Sequence, residues 1–203
     1  MAVDIFYVLI SIFNILISIW NAYNAGKALE YMKLNNIESD WPRMVAYSAL
    51  ILSFAGAAYG NAALLSVGAY YMGYIDAYTL LGVLSFSFLV FGFLIIVFGI
   101  IITANSIMVA SKTKNIFNIL IAAFNSIATI WNVYTYIRGF STALSVLKDQ
   151  FASEHRNPQT AFIILIIAAV LIAVFMVYGA YKYGRASIYR VESVSTQPSP
   201  IEG

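Results

Sequence analysis

Five apolar stretches, at about 5–23, 44–71, 79–108, 116–137 and 161–181, leave this chain few choices of fold. About 20 apolar residues in helical conformation cross the hydrocarbon core of a bilayer. Each stretch reaches or nearly reaches that length, and none contains proline. Pro42 and Pro158 stand just before the second and fifth stretches, where proline suits the first helical turn. Asn157 is placed to cap the fifth helix. The third stretch is some 30 residues long. Two spans and a turn need more, so it reads as one long or tilted helix. The expectation is an all-α integral membrane protein with five transmembrane helices in a single domain over 1–191. A polar tail at 192–203 is expected to be disordered.

Charge supports a bilayer as the solvent. Charged residues make up 10% of the chain and hydrophobic ones 62%, against about 25% charged in soluble domains. The apolar run after Met1 continues past Trp20 without a small-residue cleavage site, so it reads as a retained helix rather than a signal peptide. The odd number of spans puts the 24–43 loop, the 109–115 loop and the C-terminal tail on one side. That side holds Lys27, Lys33, Arg43, Lys112, Lys114, Lys182, Arg185 and Arg190. The other side holds only Arg138, Lys148 and Arg156. The bias predicts an outside N-terminus and a cytoplasmic C-terminus. Segments 26–34 and 139–151 mix apolar and charged residues at helical spacing, and either lie on the surface or prolong the first and fourth helices. Glu30, Glu38, Asp40, Asp149 and Glu154 read as solvated loop charges, and His155 as a solvated loop histidine.

The chain repeats itself at an offset of 111 residues. Phe13-Asn14 and Ser18-Ile19-Trp20-Asn21-Ala22-Tyr23 recur as Phe124-Asn125 and Thr129-Ile130-Trp131-Asn132-Val133-Tyr134. Ile5-Phe6 recurs as Ile116-Phe117, and Gly68-Ala69-Tyr70 with Gly73 as Gly179-Ala180-Tyr181 with Gly184. The halves cover about 1–75 and 112–186, joined by a linking helix at about 79–108. Three helices separate the starts of the two copies, so the copies run in opposite senses and form an inverted repeat. A counterpart of the third helix is missing from the second copy.

Polar residues recur on helical faces. Asn14, Ser18 and Asn21 share one face of the first helix, and Asn118, Asn125, Thr129 and Asn132 one face of the fourth. Asn61 lies near the middle of the second helix. An amide in hydrocarbon is costly without a partner, so these residues are expected to face other helices or a wet path. Gly56 and Gly60 form a small-xxx-small pair, and Ser85, Gly92, Gly99 and Ser106 a smooth groove at sevenfold spacing. Both patterns suit close helix packing.

No Asp, Glu, Lys, Arg or His lies in the central part of any span. Such groups mark proton relays and ion-coupling sites. With no cysteine and one histidine, thiolate metal sites and paired-histidine haem ligation are ruled out, and there is no phosphate-binding glycine loop. Scattered basic residues do not form a nucleic-acid patch. The expected function is therefore non-catalytic and free of cofactors or metals. The protein reads as a structural or accessory subunit of a homo- or hetero-oligomeric assembly, in a cell membrane or the membrane of an enveloped particle. Its partners are the lipid bilayer, copies of itself or other membrane subunits. The alternative is a small channel or facilitator for an uncharged solute.

Overall fold

The computed structural model describes residues 2–152 and 159–195, and every regular element among them is helical. The helices are α1 (Ala2–Leu34), α2 (Asp40–Tyr71), α3 (Ala77–Thr113), α4 (Ile116–Ala152) and α5 (Gln159–Ser195). All five are long and apolar enough to cross a membrane. The chain is a multi-pass membrane protein.

The long third stretch is one helix of 37 residues. Asp76 caps it by accepting from the Thr79 backbone N–H at 2.7 Å, and Lys114 ends it in a left-handed conformation (φ 52°). At 37 residues, α3, α4 and α5 are each about 55 Å long, well beyond the ~30 Å of hydrocarbon. The excess settles the two ambiguous segments, since 26–34 prolongs α1 and 139–151 prolongs α4. Pro42 falls in the first turn of α2. α5 runs to Ser195, into the segment read from sequence as a tail. Asn157, Pro158, Glu154, His155 and residues 196–203 lie outside the described residues.

Sequential helices alternate in direction. Ser18 meets Gly56 and Ser11 meets Gly60 across α1 and α2. Gly92 meets Tyr136 and Gly99 meets Thr129 across α3 and α4. In both cases later residues pair with earlier ones. α1 and α5 run parallel, with Tyr23 against Tyr183 and Glu30 against Arg185 and Tyr189.

The interior is built from small side chains. Ala55, Ala57 and Ala58 of α2 cluster with Phe91 and Ala173, and Ala62 with Val83, Phe162 and Ala169. Large apolar residues such as Phe175 and Ile127 point outward. This inversion fits a lipid solvent, in which close backbone approach rather than burial of large apolar groups drives helix association. α2 is central and contacts α1, α3 and α5. α1 lies against α2 and α5. Among the described residues α4 lies directly against α3 alone, apart from its far end, where Phe151 meets Phe162 of α5. α1–α2 packing is therefore not matched by direct backbone contact between their sequence counterparts α4 and α5.

A lateral trough between the two asparagine-bearing helices

Among the described residues no backbone of α1 lies within 8 Å (Cα–Cα) of α4; the two helices form the walls of a trough whose floor is α2 and α3. Two cavities, of about 250 and 350 Å3, share Asn14, Ile95, Trp131 and Asn132 and together make up this trough. Asn14, Ser18 and Asn21 come from α1, and Asn125, Thr129 and Asn132 from α4. Six of the eight polar residues singled out in the sequence thus line one cavity system. Gly92 lies beside Tyr136 and Gly99 beside Thr129, so Asn132 is level with the middle of the apolar run of α3. Ser18 against Gly56, with Phe54 against Phe91, brings the α1 amides to a similar depth.

The six residues divide into two groups. Asn125 and Thr129 are held by α3. Asn125 Nδ2 donates to Ser106 Oγ at 2.7 Å, and Thr103 Oγ1 donates to the Asn125 carbonyl at 3.1 Å. Thr103 and Thr129 hydroxyls lie 2.8 Å apart. Each hydroxyl has one proton, so Thr129 donates in that pair. Tyr136 adds a bond from its hydroxyl to the Leu89 carbonyl at 3.0 Å. Gly92, Gly99 and Ser106 are the α3 side of this seam; Ser85, further up, is half-buried. Ser18 is buried with its hydroxyl against Gly56.

Asn14, Asn21 and Asn132 differ. Each is half-buried and faces the trough, and among the described residues none of their side-chain amides makes a hydrogen bond. An unpaired buried amide costs about 1–3 kcal/mol. Lipid chains offer it nothing. Phe13, Phe124 and Trp131 flank these amides, and Trp131 is 63% exposed.

The remaining polar residues lie elsewhere. Asn61 packs between α2 and α5, with Nδ2 3.6 Å from Met176 Sδ. Asn118 shares the α4 spacing but lies at the start of the helix, where it donates to Thr113 Oγ1 at 2.8 Å and ties the α3–α4 turn.

One reading from sequence is corrected. Glu30 is not a solvated loop charge: it is 1% exposed, on the prolonged end of α1. Its carboxylate accepts hydrogen bonds from Arg185 Nε and the Tyr189 hydroxyl of α5. One turn earlier α1 and α5 cross at reciprocal glycines, Gly26 on the Tyr181 backbone and Gly184 on the Tyr23 backbone. Among the described residues no group of three His, Asp or Glu is placed to hold a metal. Comparison of the chain with protein-family models, curated proteins and solved structures gives no match.

Proposed function

We propose that the protein is a non-catalytic structural or accessory subunit, and that the trough seats a transmembrane helix from another copy or another subunit. The reading rests on the unpaired amides of Asn14, Asn21 and Asn132, which converge from two helices on one opening at mid-membrane depth. A helix carrying hydroxyl or amide side chains supplies both the donors and the acceptors that these groups lack. α4, with only one neighbouring helix along most of its length, gains a second when the trough is filled. The absence of ionisable groups from the span centres favours a role without chemistry.

The same proposal includes an outside N-terminus, a cytoplasmic C-terminus and descent from an inverted duplication. The duplication gains support from two ring–cation pairs at the same offset of 111 residues. Lys27 lies over the Tyr23 ring and Arg138 over the Tyr134 ring, each at 5.6 Å. A second function, passage of a small uncharged solute, is favoured by the empty volume beside the same amides.

Leucine substitutions separate packing from docking. Asn125→Leu removes the bond to Ser106 and is expected to lower the stability of the single chain by about 0.6 kcal/mol, the average for such bonds in membranes. Asn14→Leu with Asn132→Leu removes no side-chain bond among the described residues, so stability is expected to hold or rise while assembly is lost. Unfolding in detergent and the mass of the intact particle measure the two effects. Assembly unchanged in the double variant, with solute flux into liposomes abolished, would favour the solute path.

A further inference from the structure

At the end of the bundle that holds the α1–α2 loop, a cavity of about 430 Å3 opens between α1, α2 and α5. We propose that it binds the phosphate of an anionic phospholipid headgroup. Three cations line it, Lys33, Arg43 and Arg185. Two carboxylates line it as well, but they are placed differently. Glu30 is buried, bonds Arg185 and Tyr189 and lies 3.9 Å from Lys33, so it fixes Arg185 and offsets one of the three positive charges. Glu38 is exposed on the loop.

Donors remain after these bonds are made. Arg43 uses Nη2 on the Ile37 carbonyl at 2.9 Å, and its other N–H groups have no partner among the described residues. Arg185 uses Nε on Glu30 and Nη1 on the Tyr181 hydroxyl at 3.4 Å, leaving Nη2. Its guanidinium carbon also lies 5.6 Å from the centre of the Tyr181 ring, a second contact that keeps it beside that residue. Lys33 is 3.9 Å from Glu30, with its side chain 69% exposed. Two guanidinium groups and an ammonium around one opening suit a phosphate ester.

Depth favours a lipid over a free anion. Arg43 immediately precedes the apolar run of α2, and Tyr181 ends that of α5. Tyr47 and Tyr181 supply the amphipathic rings of a membrane interface, and Leu29 and Met32 give the cavity an apolar side. Basic pockets between helices at this level take up acidic headgroups.

The test uses the full chain in mild detergent, with phosphatidylglycerol or phosphatidylcholine added and retained lipid counted by native mass spectrometry. Phosphatidylglycerol is expected to be held in preference, at one molecule per chain. Lys33→Gln with Arg43→Gln is expected to weaken that preference about 30-fold, at about 1 kcal/mol per cation. Lys27→Gln with Lys182→Gln, whose ammonium groups lie over the Tyr23 and Tyr178 rings outside the cavity, is expected to leave it unchanged. If the first double variant does not fold, loss of the wild-type preference at high salt supports the site, and a salt-independent preference overturns it. Equal retention of the two lipids overturns it, as does equal loss in the two double variants. Thermal stabilisation by inorganic phosphate without any lipid preference assigns the cavity to a soluble anion and overturns the lipid.

Discussion

Gly184→Ala is expected to destabilise the protein by about 3 kcal/mol, the upper end of the range for overpacking a close contact. A Cβ at this position would lie 2.9 Å from the Tyr23 carbonyl carbon and closer still to its oxygen. On the other helix a Cβ at Gly26 would lie 3.1 Å from the Tyr181 carbonyl carbon, again with the oxygen nearer. In both cases the obstacle is backbone, which cannot rotate aside as a side chain can. Relief requires α1 and α5 to separate, and separation pulls on the Glu30 bonds one turn further along. Gly26→Ala is expected to act in the same direction. Gly179→Ala is the control, because a Cβ there meets nothing within 4 Å, and its effect is expected to stay within about 0.5 kcal/mol. Unfolding by SDS titration, followed by circular dichroism, measures all three. Gly184→Ala indistinguishable from Gly179→Ala would mean that the α1–α5 crossing is not as close as described.

Arg185→Ala is expected to cost about 2 kcal/mol. Removing one member of a buried ion pair strands the other charge, typically at about 3–5 kcal/mol. The Arg185 side chain is 38% exposed, which reduces the loss, but Glu30 is 1% exposed and cannot turn to water without moving α1. Among the described residues the Tyr189 hydroxyl remains as its hydrogen-bond donor, with the Lys33 ammonium at 3.9 Å. Arg185→Ala combined with Glu30→Leu is expected to recover most of the loss, because no buried charge is left unpaired. Single and double variants in the same unfolding assay decide this. A double variant as unstable as Arg185→Ala alone would show that the charges are not coupled.

Local patterns revealed the elements well and their partners poorly. The run at 79–108 is legible as one helix because two spans and a turn need more residues, and 139–151 is legible as helical from its spacing. Whether 139–151 lies on the surface or continues α4 is decided by Gly139 against Phe88 and Gly82 against Gln150, contacts between residues far apart in sequence. Glu30 is missed for the same kind of reason. Its segment mixes apolar and charged residues as a surface helix does, and nothing nearby announces that α5 will lie alongside. A trace exists in the repeated spacing Tyr23-x-x-Gly26 and Tyr181-x-x-Gly184, where each glycine sits on the other helix's tyrosine backbone. The asparagine faces follow from periodicity, and most of their members meet at the trough. Periodicity cannot separate Asn125, whose amide is bonded to Ser106, from Asn132, whose side-chain amide makes no hydrogen bond among the described residues. That difference depends on which side of α4 rests on α3. Asn118 obeys the same spacing, yet its place at the start of α4 gives it to the turn.

The trough as the seat of another transmembrane helix is tested most directly by site-specific photo-crosslinking in the native membrane. Trp131, on the trough wall, is replaced by benzoyl-phenylalanine, and Phe175, equally outward-facing on α5 and outside the trough, is the control. A single protein adduct of fixed mass from position 131, with lipid adducts alone from position 175, is the expected result, and the mass of the adduct identifies the partner as a second copy or another subunit. Lipid adducts alone at both positions would contradict the account.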